Sequence, residues 1–112
     1  MQLEHSAHEG VAVIKLPHRI LMADARAARK GLKQFTRGRQ PLLALDMRET
    51  EFIDSSGLAV LVNCLQASRR KNGEVCLFGM QESVQTLFEI TRLNTVFPIE
   101  TRFDDAIQRL NS

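Results

Sequence analysis

Pro41 is followed by Leu-Leu-Ala-Leu, Leu42 to Leu45, with no polar residue among the four. Successive side chains of a strand point to opposite faces, so such a strand must be covered on both sides, as in a parallel sheet flanked by helices. Val75 to Phe78 reads the same way. The remaining chain therefore has to supply helices, and connections long enough to bring parallel strands side by side.

It does so in alternation. Val11 to Leu16 is a β-rich run that stops at Pro17, and Gln2 to Ala7 is expected to pair with it as an edge strand through His8-Glu9-Gly10. Leu21, Ala25, Ala28, Leu32 and Phe35 recur in steps of four and three, opposite Arg26, Arg29, Lys30 and Lys33, which predicts an amphipathic helix ending by Gly38. Leu58, Leu61, Val62 and Leu65 predict a second helix to about Lys71, ended by Asn72-Gly73. Val84, Leu87, Phe88 and Leu93 predict a third, Val96 to Ile99 a short strand, and Phe103, Ala106, Ile107 and Leu110 a final helix. The expected fold is α/β: one mixed, largely parallel sheet of four to five strands with about four helices and an antiparallel N-terminal edge.

At 112 residues, 44% hydrophobic and 25% charged, the chain has the size and composition of one globular domain. Fifteen Lys and Arg against thirteen Asp and Glu leave a formal charge of +2, spread thinly along the sequence, so no nucleic-acid partner is expected. Arg69, Arg70 and Lys71 fall where a helix ends and suit its C-terminal dipole. The apolar runs are too short to insert in a membrane, and no signal peptide is expected. Cys64 and Cys76 each sit inside an apolar pattern, which suits buried thiols in a reducing, cytoplasmic setting. His5, His8 and His18 show no metal-ligand pattern. In a strand, the spacing of His5 and His8 puts their rings on opposite faces.

The chemistry concentrates in Glu51 to Val62, Glu-Phe-Ile-Asp-Ser-Ser-Gly-Leu-Ala-Val-Leu-Val, where a strand hands over to a helix. Asp54, Ser55 and Ser56 could serve only as caps for the free N–H groups there. A nucleophilic serine would want G-x-S-x-G, but Ile53 and Asp54 precede Ser55 and the first glycine is missing; no catalytic residue is assigned. A third reading is modification: a phosphate at a helix N-terminus meets free N–H groups and the positive end of the dipole, so the fold tolerates it while the surface changes sign.

The stretch from Leu42 to Met80, with its strand ending in Asp46 followed by Phe-Ile-Asp-Ser-Ser-Gly-Leu, a helix and a strand, resembles the STAS domain, and within it the anti-sigma factor antagonists. Ser83 to Ile99 and the closing Asp-Asp-Ala-Ile-Gln-Arg-Leu extend the resemblance from about Val11 to Leu110. It implies that Ser55 is the phosphoacceptor and Ser56 a more structural neighbour. It further implies that Asp54 positions the loop for a kinase, and that Gly57 and Leu58 start a helix forming part of the partner surface. The implied function is non-enzymatic: the unphosphorylated protein, a monomer or weak dimer, binds an anti-sigma factor serine kinase and is released on phosphorylation, with a serine phosphatase to reset it. ATP and magnesium would belong to the kinase, so no cofactor is implied. An alternative is a STAS subunit of a larger assembly, such as a lipid-transport or transporter-associated complex, working without phosphorylation. Two positions depart from the family's habit. An acid often precedes the first helix, where this chain has Leu16-Pro17-His18-Arg19-Ile20-Leu21 and its first acid, Asp24, lies inside the helix. Arg92 stands where glycine is common.

Overall fold

A computed structural model describes residues 2–112. The chain runs β1 (His5–His8), β2 (Val11–Lys15), β3 (Arg19–Ile20), α1 (Met22–Lys33), a 3₁₀ turn at Gln34–Thr36, β4 (Leu42–Asp46) and β5 (Phe52–Ile53). It continues through α2 (Ser55–Arg69), β6 (Glu74–Phe78), α3 (Glu82–Ile90), a 3₁₀ turn at Leu93–Thr95, β7 (Ile99–Glu100) and α4 (Phe103–Leu110). Five strands form one sheet in the order β1-β2-β4-β6-β7, parallel except for β1 against β2. This is the expected mixed α/β architecture.

Alternation along the strands separates two cores. Ile14, Leu43, Leu45, Val75 and Leu77 face α1, α2 and α3, which bring Leu32, Leu61, Leu65 and Phe88. Val11, Ala44, Cys76 and Phe78 face α4, which brings Ala106, Ile107 and Leu110. The fully apolar β4 and β6 are thus covered on both sides, as their composition requires. Cys64 and Cys76 are free, buried thiols, pushed up by burial to about 12 and about 11.

The edge hairpin is tighter and later than expected. Strand β1 begins at His5, and only Glu9 and Gly10 form the turn, with φ of 51° and 80°. Positive φ at both central residues matches the right-handed twist of the flanking strands. His5 stacks edge-on against Phe35 on one face and His8 against Phe103 on the other, so the two rings do diverge.

The sequence reading did not foresee a second sheet, of two strands, in which β3 pairs parallel with β5, Arg19 opposite Phe52 and Ile20 opposite Ile53. Because each of these strands feeds directly into a helix, the pairing sets the starts of α1 and α2 side by side. The last strand is also shorter than Val96 to Ile99. Val96 and Phe97 donate their N–H groups to Leu93 O in a turn, at 3.0 Å each, and only Ile99 and Glu100 join the sheet.

Candidate functional site

The joined helix starts are held by one side chain. Asp54 is the N-cap of α2, extended at φ −113°, and its Oδ1 accepts the Gly57 N–H at 3.0 Å. Its Oδ2 accepts the N–H of Met22, the first residue of α1, at 2.9 Å. One carboxylate therefore caps both helices. The capping role open to the serines is filled by Asp54 instead.

That leaves Ser55 and Ser56 as the first two residues of α2. Ser55 is exposed and Ser56 half-buried, and neither hydroxyl is hydrogen-bonded among the described residues. Their backbone N–H groups are two of the orphan donors of a helix start. Gly57 and Leu58 are buried. A Cβ on Gly57 would lie 2.2 Å from Ile20 O and 2.7 Å from Ile53 Cγ1, so only glycine allows α2 to start this close to the small sheet. Leu58, 6% exposed, belongs to the core and lies under this surface rather than on it.

The surroundings are polar on one side and apolar on the other. Asp24, in the first turn of α1, accepts the Leu21 N–H at 3.0 Å and a two-pronged contact from Arg19, at 3.1 Å for each prong. The Leu21 N–H, and then Arg19, hold the Asp24 carboxyl below its usual range. Leu21 itself is the N-cap and supplies no side-chain acceptor. The acid that sequence placed inside the helix therefore braces the helix start from its third position, through a pairing with Arg19 that sequence did not reveal.

Met22, 74% exposed, and Phe52, 53% exposed, add apolar surface beside the serines; Phe52 stacks edge-on with His18. Their exposure could not be read from sequence, because periodicity assigns apolar residues to the core by default. His18 Nε2 lies 3.7 Å from Glu51 Oε2, and the ring is not hydrogen-bonded to either serine. The arrangement thus offers an unoccupied hydroxyl at the positive end of a helix, in a setting where an added anion meets N–H donors rather than buried carbon.

The profile of the STAS domain family matches residues 2–106. The chain belongs to the STAS domain family. An anti-sigma-B factor antagonist of Listeria monocytogenes is 36% identical over 59 residues, so the alignment spans 53% of this chain and about half, 52%, of that relative. A STAS domain protein from Planctomyces limnophilus, described as an anti-sigma-factor antagonist, superposes with a TM-score of 0.90 at 19% identity and full coverage of both chains. The phosphorylated form of SpoIIAA, a Bacillus cell fate determinant, superposes with a TM-score of 0.70 at 19% identity over 96% of each chain. The STAS fold is therefore the fold of this chain, including its antiparallel β1 edge and its four helices. None of the 13 described helices, turns and strands is a helix long and apolar enough to cross a membrane.

Proposed function

We propose that this STAS domain is an anti-sigma factor antagonist switched by phosphorylation of Ser55. The observation that carries the reading is the exposed Ser55 hydroxyl at the first position of α2, spared from capping by Asp54. The names of the Listeria and Planctomyces relatives and the phosphorylated SpoIIAA structure support it. The unphosphorylated domain binds an anti-sigma factor that is itself a serine kinase, and a serine phosphatase resets it. Asp54, Ser56, Gly57 and Leu58 shape the docking surface: Asp54 and Gly57 fix its backbone, Ser56 lies at its rim, and Leu58 anchors the helix beneath it. The protein acts as one cytoplasmic domain, turns over no substrate of its own, and takes ATP and magnesium only through the kinase.

A phosphoryl group on Ser55 would add about −1.5 to −2 charges next to Asp54, and the repulsion it exerts on an acidic or apolar partner surface releases the complex. The test is to incubate the protein with its anti-sigma factor kinase and ATP and to map the phosphopeptide by mass. Phosphate on Ser55, absent in Ser55→Ala, is the expected result; phosphate elsewhere, or none, sinks the reading. Ser55→Asp should weaken the complex by about 1–3 kcal/mol, while Ser55→Ala stays bound.

A further inference from the structure

The far ends of α1 and α2 carry a surface that this switch does not use. Residues 25–45 hold six cations, Arg26, Arg29, Lys30, Lys33, Arg37 and Arg39, and residues 66–73 hold Arg69, Arg70 and Lys71. The same two stretches contain none of the thirteen Asp and Glu. What reads as a thin excess along the sequence is gathered by the fold, because α1 and α2 run parallel from the shared Asp54 cap and finish next to one another. Among the described ion pairs only Arg69–Glu74 involves one of these nine residues.

Helix C-termini favour cations, and Lys30, Lys33 and Arg69 stand in last turns. That effect fades within a turn, so it does not account for Arg26 and Arg29, which stand earlier in α1. Nor does it account for a groove of about 240 Å³ between the two helices. The groove is floored by Leu32, Val60 and Ala67 and rimmed by the exposed Arg29, Lys33 and Arg70.

We propose that this groove is a second docking surface, whose occupant is an acidic, amphipathic segment of a protein partner. Its carboxylates face the cationic rim, and an apolar side chain seats on the floor between α1 and α2, the mode by which an amphipathic helix is taken into a groove. Charge complementarity names the acid, since among the described residues none of the rim cations Arg29, Lys33 and Arg70 is ion-paired within its own chain. The apolar floor separates this occupant from a nucleic-acid backbone, which would leave the floor empty, and exposed aromatic side chains for stacking bases are lacking among the described residues of these two stretches. Of the exposed large apolar side chains, Met22, Phe52 and Ile90 lie elsewhere; Val96 borders this end, its carbonyl accepting from Arg69 at 3.2 Å, and a single valine does not make the apolar face that enters a bilayer. Ala67 lies twelve residues beyond Ser55 along α2, about 18 Å at the helical rise, so this surface stands apart from the phosphorylation switch.

The test measures binding of a fluorescein-labelled, glutamate-rich peptide with one stripe of leucines to the whole protein at low salt. Scrambling the peptide so that the stripe is lost should weaken it. Arg29→Glu with Arg70→Glu should lower affinity by about tenfold or more, Arg29→Gln with Arg70→Gln by less, and added salt should mimic both. Ala67→Leu, which fills the floor without touching charge, should also weaken the peptide, and Ser55→Asp should leave it unchanged. Circular dichroism confirms that each variant is folded. The proposal is overturned if the peptide fails to bind, if the charge variants or Ala67→Leu leave affinity unchanged, or if Ser55→Asp abolishes it. It is equally overturned if a single-stranded oligo-dT or phosphatidylglycerol-containing vesicles bind more tightly than the peptide.

Discussion

The carboxylate of Asp54 accepts N–H groups from residues 3 and 32 positions away, Gly57 and Met22. Both donors sit at helix starts where no intrahelical acceptor exists, so removing the acceptor exposes them together. Asp54→Ala should lower stability by about 1–2 kcal/mol for the α2 cap and by roughly 1 more for the stranded Met22 N–H. Asp54→Asn keeps one carbonyl oxygen and should fall between. Urea midpoints order the three proteins, and an alanine variant as stable as the parent would rule out the shared cap. Arg92 is a residue of the opposite kind, one that costs stability where it stands. It holds φ 62°, ψ 16° at the turn after α3, and its side chain makes no hydrogen bond or ion pair among the described residues. A left-handed conformation disfavours any residue with a Cβ, so Arg92→Gly should raise stability by about 0.5–1 kcal/mol in the same assay, the gain reduced by the freer unfolded chain. The sequence resemblance already marked this position as one where glycine is common, and the backbone supplies the reason.

At the scale of elements, the two-stranded sheet decides where the site is. Ile20 and Ile53 are paired, α1 and α2 begin at Met22 and Ser55, and Gly57 lies against the Ile20 carbonyl. Gly57→Ala would press a methyl group onto backbone atoms of β3 and force α2 away from it. We expect a loss of about 2 kcal/mol or more, far above the ordinary benefit of alanine within a helix, and faster amide exchange confined to residues 20–24 and 54–58. An alanine variant of unchanged stability would mean that the contact is loose. This pairing was not legible in the sequence. Two-residue strands are too short to show alternation, and His18 to Leu21 follows a proline that reads as a stop. Longer elements were legible because burial imposes a period on them: β2, β4, β6 and the faces of α1, α2 and α4 fall where apolar spacing puts them. The third helix misled for a local reason. Leu93 continues the helical spacing of Val84, Leu87 and Phe88, yet the left-handed Arg92 ends the helix before it, and Leu93 enters a 3₁₀ turn instead. At the site, sequence placed Asp54, Ser55 and Gly57 at the start of a helix, but could not show that Asp54 caps two helices or that Leu58 faces inward. Those depend on what a distant segment does.

For the whole molecule, the response to acid depends on carboxylates that folding has placed beside donors. Asp46 closes β4 on the face covered by α4, where its side chain is 9% exposed. Burial alone would push its carboxyl up. Arg48 outweighs that effect: its backbone N–H and Nε reach Oδ1 at 3.0 Å and its Nη2 reaches Oδ2 at 2.8 Å, so the group is held below the usual carboxylate range. Asp24 is lowered in the same direction by the Leu21 N–H and Arg19. The unfolded chain takes up protons on these residues near pH 4, whereas the folded protein does so only at lower pH. Between those points the unfolded state binds more protons, so stability rises with pH through this window and is lost as pH falls below about 4. Lys15, raised by its bond to Glu49 and by Glu4, sets the opposite limit: its contribution is complete below about pH 10 and disappears as pH climbs past that. Urea midpoints measured from pH 7 to pH 3 should fall most steeply below about pH 4 in the parent. Asp46→Asn should start lower at pH 7, because Arg48 loses its partner over the Phe78 ring, and then decline less steeply toward pH 3. Curves for parent and variant that run parallel across this range would show that the pair contributes nothing to acid sensitivity, and Asp24→Asn would then be the variant to carry the remaining slope.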